Sequence, residues 1–219
     1  MLIPRVISLI CILILSSCKQ EEKKSAETTW QEFCCRDAGD PTARTPLYRA
    51  ITPINWQRKN PSVTESIADS TKPVSEFYIG QHDQEKVSLT VFTFPVENYE
   101  QRVPPSAQLK RWKRQFEEFN PTSLVVTPCA HGGFTGFSIC VKGLMNGQET
   151  SLLGFSMQLA PVHWFSLQQN KENISLKHSQ TTADYTIKAL GTPSAILKWK
   201  DEIYLFANSF ELIEEIPVR

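Results

Sequence analysis

The sequence predicts an α+β domain in which helices pack on an antiparallel β-sheet, preceded by a flexible tether. The middle of the chain carries several short segments rich in β-branched and aromatic residues, joined by links of hairpin length. Two other segments place apolar residues at helical spacing between a capping signal and a stop. Residues 19–29, in contrast, contain no hydrophobic side chain larger than alanine and predict an unfolded tether.

The N-terminus predicts a bacterial lipoprotein signal peptide over residues 1–17. Arg5 supplies its positive charge, and residues 6–15 form an uncharged apolar run that is shorter than the about 20 residues a membrane span needs. The run ends in Leu-Ser-Ser before Cys18, the pattern that precedes a cysteine modified by lipid. We expect Cys18 to carry diacylglycerol and an N-acyl chain, and we expect no other cofactor. The alternative is an ordinary signal peptide with an incidental cysteine.

The residue after Cys18 bears on the membrane that holds the protein. Lys19 follows the cysteine, and the absence of aspartate there favours the outer membrane over the inner, with the domain in the periplasm or at the cell surface. After cleavage the chain carries 22 Lys and Arg (23 minus Arg5) against 23 Asp and Glu, a net charge of −1. This balance gives no overall attraction to nucleic acid, and we expect no nucleic-acid partner.

The mature chain divides by composition into three parts. Residues 18–29 comprise the lipidated cysteine and the tether, and residues 30–52 form an arm with two cysteines, two prolines and a glycine. Residues 53–219 are expected to be the α+β domain, which is long enough for one hydrophobic core.

The predicted strands share β-branched and aromatic composition and short Gly-, Asn- or Pro-containing links. They cover residues 75–79, 87–94, 123–127, 136–143, 152–159 and 162–168.

Two helices are expected. The first begins after Ser106 as its cap and ends at Asn120-Pro121, with Leu109, Trp112, Phe116 and Phe119 on one face. The second is capped by Thr192, has Pro193 at its first position, and presents one apolar side formed by Ile196, Trp199, Ile203, Ala207 and Phe210.

Four cysteines remain once Cys18 is lipidated, and an exported chain can oxidise them to disulfides. They are Cys34, Cys35, Cys129 and Cys140. Cys129 and Cys140 flank a glycine-rich turn and are candidates to pair, but three connectivities stay open. A metal site from Cys34, Cys35, Cys129 and His131 is conceivable, although the spacing matches no zinc motif, and we predict no metal.

The ordered set of segments resembles the PsbP-like fold, and more narrowly the exported domains and lipoproteins of planctomycete and chlamydial bacteria. The matching segments are TPINWQRKNPS (52–62), VSLTVFTFP (87–95), LKRWKRQF (109–116), HWFSL (163–167) and FANSF (206–210), within residues 53–212. The resemblance implies an antiparallel sheet with packed helices. It also implies action by binding other proteins, because the family has no agreed catalytic residues.

The segment CAHGGFTG (129–136) contains the His-Gly-Gly found in lipase oxyanion holes. That motif requires a nucleophile elbow, G-x-S-x-G, which the chain lacks, so we expect a turn between strands. We assign no catalytic residue. An enzyme is the least favoured reading and would depend on Cys34, Cys35, His131 or His163.

The most suggestive surface is the basic segment of the first helix: Lys110, Arg111, Trp112, Lys113 and Arg114. It predicts either a site for an anion or a protein partner, or a solvated outer face with Trp112 packed on the sheet. Glu117 and Glu118 follow Lys113 and Arg114 by four residues, so the charges are expected to pair along the helix, although their order opposes the helix dipole.

The favoured function is a membrane-anchored lipoprotein that binds an envelope protein without catalysis. The alternative is a small-ligand or lipid carrier with an apolar pocket between sheet and helices, lined by Trp112, Trp164 and Phe134.

Overall fold

A computed structural model describes residues 26–36, 44–59, 73–94, 98–169 and 184–213. Cys18 and the predicted signal peptide lie outside these residues. The strands are β1 (Thr28–Arg36), β2 (Arg44–Pro53), β3 (Gln57–Lys59), β4 (Ser75–Ile79), β5 (Val87–Phe94), β6 (Glu118–Phe119), β7 (Val125–His131), β8 (Phe134–Met145), β9 (Gln148–Leu159), β10 (Asp184–Gly191) and β11 (Glu211–Leu212). The helices are α1 (Pro105–Lys113), α2 (Pro161–Gln169) and α3 (Pro193–Asn208).

A large antiparallel sheet forms the centre of the fold. Its strand order is β3-β4-β5-β10-β9-β8-β6, with β7 also paired to β8, and a small sheet has the order β1-β2-β11. The β7–β8 and β8–β9 connections are hairpins, as the short links predict. β10 pairs with both β5 and β9, so a strand from late in the chain occupies the middle of the sheet.

The two faces of the large sheet bury separate hydrophobic clusters. Alternate residues of β5, such as Leu89 and Val91, point to the face covered by α3 and the small sheet. On the opposite face, α1 covers a smaller cluster formed by Leu109, Trp112, Phe116, Ile139, Val141 and Leu152. The molecule is therefore layered, and α1 is the helix that the described part of the chain places on the side opposite the main core.

The arm predicted over residues 30–52 is part of the fold, and the expected start of the domain at residue 53 is wrong. β1 and β2 pair along their length, and Phe33 and Tyr48 are fully buried in the main core. The Phe33 ring lies 5.7 Å from that of Phe206 and 5.4 Å from that of Phe210. The main core lies between the large sheet and these aromatic residues, so the folded chain begins by Thr28, inside the segment assigned to the tether.

Residues 162–168 were predicted as a strand and instead lie in α2. The place beside β9 where that strand would pair is taken by β10. Pro161 suits the first helical position, and the Trp164 amide donates to the Ala160 carbonyl at 2.9 Å. The strand-like composition of residues 162–168 did not decide their structure, because β9 has no free edge with which they could pair.

Helix α1 is shorter than predicted, although its apolar face is correct. The N-cap is Pro104 rather than Ser106, and the helix ends at Lys113. The following chain leaves the helix to pair with β8: the Glu117 amide donates to the Leu144 carbonyl at 2.9 Å, and Phe119 lies in β6. Phe116 is still buried, so the predicted face packs on the sheet without being wholly helical.

The other predicted elements are found close to their expected positions. β4 and β5 match residues 75–79 and 87–94, and α3 begins at Pro193 with the Thr192 hydroxyl accepting from the Ala195 amide at 3.2 Å. The strands β3, β6, β10 and β11 were not predicted, and β1 and β2 were expected only as an arm. None of the helices in the described part of the chain has the length and apolar character needed to span a bilayer.

Candidate functional site

The candidate site is the outer surface of α1 together with a cleft between α1 and the sheet. Trp112 belongs to the interior of this region rather than to its surface. A Cβ added to Gly154 on β9 would lie 2.5 Å from the Trp112 ring, so the glycine allows the ring to lie directly on the strand. Trp112 is therefore packed on the sheet, as the second of the two expectations for this helix has it, and only the edge of its ring borders the cleft.

The four remaining basic residues of the segment form what we call the basic face: Lys110, Arg111, Lys113 and Arg114. Lys110, Arg111 and Arg114 are exposed and Lys113 is half-buried. Within the described residues, none of the four forms a salt bridge or a side-chain hydrogen bond. The basic face is thus an uncompensated patch on a chain whose overall charge is near zero.

The predicted pairing of Lys113 and Arg114 with Glu117 and Glu118 is wrong. The helix ends before the glutamates, so the spacing of four residues no longer places the charges on one helical face. The expectation that these charges oppose the helix dipole is also wrong. The basic residues occupy the last turn, where they stabilise the helix by about 0.3–1 kcal/mol each at low salt.

A buried ion pair fixes the start of α1 to the sheet. Arg102 precedes the helix, and its Nη2 lies 2.6 Å from Oδ1 of Asp184 on β10. Its Nε donates to Oδ2 at 3.0 Å, and Nη2 also donates to the Leu159 carbonyl at 2.6 Å. The guanidinium lies 4.9 Å from the centre of the Trp164 ring, which joins α2 to the same network. These contacts set the position of α1 over the sheet.

The cleft beside α1 has a volume of about 110 Å³. The sheet provides its floor and α1 provides one wall. Its lining residues are Phe92, Phe94, Gln108, Arg111, Trp112, Gln115, Thr186 and Lys188. Three aromatic rings, two amides, one hydroxyl and two cations therefore converge on one small space.

Lys188 is the least expected member of the cleft. It rises from the centre of the sheet, and in the ladder it lies between Thr90 of β5 and Gly154 of β9. Burial lowers the pKa of its ammonium group, and the positive charge of Arg111 lowers it further. The sequence did not identify Lys188 as a site residue, although the alternation of Tyr185, Ile187 and Ala189 with polar neighbours is a strand signal that would have placed it on the outer face.

The structure does not pair Cys129 with Cys140, and both are free thiols. Across the β7–β8 ladder Cys129 faces Gly136, whereas Cys140 faces Val125. Four residues of strand separate the two positions by about 13 Å, well beyond the about 7 Å limit for the Cα atoms of a disulfide. The backbones of Cys34 and Cys35 lie in β1, and their side chains lie outside the described residues.

The glycine-rich segment is a turn between strands, as predicted. Gly132 and Gly133 both have positive φ, of 55° and 81°, and they link β7 to β8. Beside this turn, His131 Nε2 lies 2.9 Å from the Tyr185 hydroxyl. Burial lowers the pKa of His131, and it raises the pKa of the fully buried Tyr185 well above its usual range. The pair joins the turn to the main core.

The residues expected to line a carrier pocket are separated in space. Trp112 lies on the α1 face of the sheet, while Phe134 and Trp164 belong to the main core on the opposite face, so the three cannot line one carrier pocket. In the part of the chain that is described, no three His, Cys, Asp or Glu side chains come together in a way that could hold a metal ion.

No family model matches the chain, and no curated protein matches its sequence. Among solved structures, the chain is similar to LpqN, involved in cell envelope biogenesis of Mycobacterium tuberculosis. The TM-score is 0.50 at 12% identity, over 84% of this chain and 91% of that chain. This likeness shows the fold, and the predicted antiparallel α+β class is confirmed.

Two further solved structures also match. Cyanobacterial PsbP (CyanoP) from Synechocystis has a TM-score of 0.45 at 10% identity, over 90% of this chain and 98% of that chain. A protein of unknown function from Pseudomonas aeruginosa has a TM-score of 0.40 at 11% identity, over 80% and 90% of the two chains.

Proposed function

We propose that this chain is a lipid-anchored, non-enzymatic binding protein of the bacterial cell envelope, and that an envelope protein docks on the basic face of α1. The observation that carries the proposal is the uncompensated charge of that face. Lys110, Arg111, Lys113 and Arg114 have no ionic partner in the described part of the chain. An acidic surface of a partner would supply the missing charge.

The helix dipole accounts for part of this arrangement but not for all of it. Positive residues in the last turn of α1 stabilise the helix, whichever protein surrounds it. The dipole gives no reason for Lys188, which lies on a strand and adds a fifth cation beside Arg111. Like charges held together are unfavourable in the free protein, and a docked acidic group offsets that cost. The basic face and Lys188 therefore form one positive surface.

The anchor rests on the sequence around Cys18. Residues 19–27 separate the cysteine from β1, and even fully extended they reach only about 30 Å. A diacylglycerol with an added acyl chain supplies more than one hydrocarbon anchor, which gives stable attachment. The lipidated domain then stays close to the membrane surface, with the outer membrane as the favoured location. The resemblance to chlamydial and planctomycete lipoproteins supports the same proposal.

The proposal of a non-enzymatic role agrees with the arrangement of the histidines that an enzyme would need. His131 contacts the hydroxyl of the buried Tyr185 and stands beside a structural turn. His163 lies in the first turn of α2, next to the packed Trp164.

Site-specific photo-crosslinking in intact cell envelopes tests the docking surface. A photoreactive residue at Ser106, exposed on α1, should give a discrete adduct with one envelope protein. The matched control is Leu197, which is exposed on α3 on the opposite side of the sheet. Equal adducts from both positions, or no adduct from Ser106, would contradict docking on α1.

Fractionation tests the anchor separately. The Cys18→Ser protein should leave the membrane fraction and lose incorporation of labelled palmitate, while a Cys129→Ser protein should keep both. Membrane retention and labelling of the Cys18→Ser protein would show that the attachment lies elsewhere.

A further inference from the structure

The cleft beside α1 is lined by charged, polar and aromatic side chains. Arg111 and Lys188 supply two positive charges, and Gln108, Gln115 and Thr186 supply hydrogen-bonding groups. The rings of Phe92, Phe94 and Trp112 complete the wall. Such a lining combines cationic and hydrogen-bonding groups with apolar rings, which neither a purely ionic nor a purely apolar ligand would use fully.

The charge on Lys188 has no counter-ion within the described residues. From the sheet it is flanked by Thr90 and Gly154, which are uncharged, and from α1 it faces Arg111. The carboxylate in the same row of the sheet is Glu76, which pairs across β5 with Thr90. Glu76 lies two strands from Lys188, about 10 Å away, and it is already paired with Lys59 at 3.6 Å.

We propose that this cleft is a subsite that receives one carboxylate group on an aliphatic stem, as a glutamate side chain of the docked protein presents. The inference rests on the proposed function, because it assigns the chemistry of one contact within that docking surface. Arg111 binds the carboxylate through its forked N–H groups, and Lys188 adds a point charge from the floor. The methylene groups of the stem pack between the aromatic rings.

The small size of the cleft favours the end of a side chain. A volume of about 110 Å³ is well below the about 300–1,000 Å³ typical of sites for drug-sized ligands. The floor is the sheet itself, whose other face is the packed main core, so a ligand group enters from the open side of the cleft.

The experiment uses the full-length lipidated chain in detergent micelles and follows the Trp112 indole and the Lys188 side chain by NMR. The probes are the peptide acetyl-Gly-Glu-Gly-amide, its Gln counterpart and inorganic phosphate. The Glu peptide should shift both signals saturably and the Gln peptide should not. Lys188→Met and Arg111→Gln should each weaken binding of the Glu peptide about tenfold, as loss of one charge-assisted contact does. Following Trp112 keeps a readout when Lys188 is replaced.

Lys200→Met is the matched control, because it removes one positive charge from α3, on the opposite side of the sheet from the cleft. It should leave the affinity for the Glu peptide unchanged. Equal binding of the Glu and Gln peptides would overturn the inference. Tighter binding of phosphate than of the Glu peptide, or unchanged affinity in both cleft variants, would do the same.

The outcome also separates this inference from the proposed function. If the Ser106 crosslink forms in envelopes but the Glu peptide does not bind, the docking surface stands and the cleft assignment fails. If the Glu peptide binds but no crosslink forms, the cleft is an anion site and docking on α1 fails.

Discussion

Replacing Arg102 should reveal how firmly α1 is held to the sheet. The side chains of Arg102 and Asp184 are only 4% and 6% exposed, and two hydrogen bonds of 2.6 and 3.0 Å join them. We expect Arg102→Met to lower the free energy of unfolding by about 3–5 kcal/mol, the cost of leaving one member of a buried ion pair unpaired. Of the helices, α1 should lose the most local stability, because Arg102 lies just before it.

The remaining contacts of Asp184 explain why this cost is large. Without Arg102, the carboxylate retains the Leu159 amide at 3.1 Å and the Gln158 side-chain amide at 3.2 Å. These two donors are neutral and cannot offset a buried negative charge. The double variant Arg102→Met/Asp184→Leu removes that charge as well, so it should be more stable than Arg102→Met alone.

Urea unfolding measures both effects. With an m-value of about 2 kcal/mol/M, the midpoint of Arg102→Met should fall by about 2 M. The control is Arg49→Met, since Arg49 and Glu211 form a 2.6 Å pair whose side chains are 44% and 33% exposed. That exposed pair should cost at most about 1 kcal/mol. A loss of stability in Arg102→Met no larger than in Arg49→Met, or a double variant that is the least stable of the three, would contradict the predicted cost of an unpaired buried charge.

Three further predictions concern packing, pH and thiols. Gly154→Ala should destabilise the fold by about 1–3 kcal/mol, because the added methyl overlaps the Trp112 ring, and the change should appear in the urea midpoint and in the near-ultraviolet circular dichroism. The pKa of His131 is lowered from 6.5 chiefly by burial, so the unfolded state binds a proton at a higher pH than the folded state does. The free energy of unfolding should therefore fall as pH drops below 6.5, and His131→Gln should flatten that profile between pH 7.5 and 5. Peptide mapping without reductant should find no bond between Cys129 and Cys140, and such a bond would require a different β7–β8 register.

Much of the sheet could be predicted because its strands carry their own local signals. The regular alternation in Val87–Phe94 and the hairpin links around β8 and β9 are both visible in sequence. The sequence predicts an arm over residues 30–52, instead of β1 and β2, because prolines, a glycine and two cysteines interrupt any alternation of apolar and polar residues there. Their burial depends on rings that come from the far end of the chain, such as Phe206, and no local pattern reports that contact.

The candidate site could be predicted only in part, for a related reason. The basic residues of α1 are adjacent in sequence and were identified directly. Lys188 joins them through β10, a strand that enters the sheet from a distant part of the chain. For Trp112 the sequence left open a binding surface or a packed position, because it could not show that Gly154 lies directly under the ring.

A charge series on α1 tests most directly whether the basic face is the docking surface. Crosslinking from Ser106 in intact envelopes would be compared among Lys110→Glu, Arg114→Glu, the double variant, and Lys200→Glu on α3 as the control. The adduct should fall stepwise with each reversal on α1 and be unchanged by Lys200→Glu. An adduct that survives the double reversal, or that falls equally in the control, would contradict docking on the basic face.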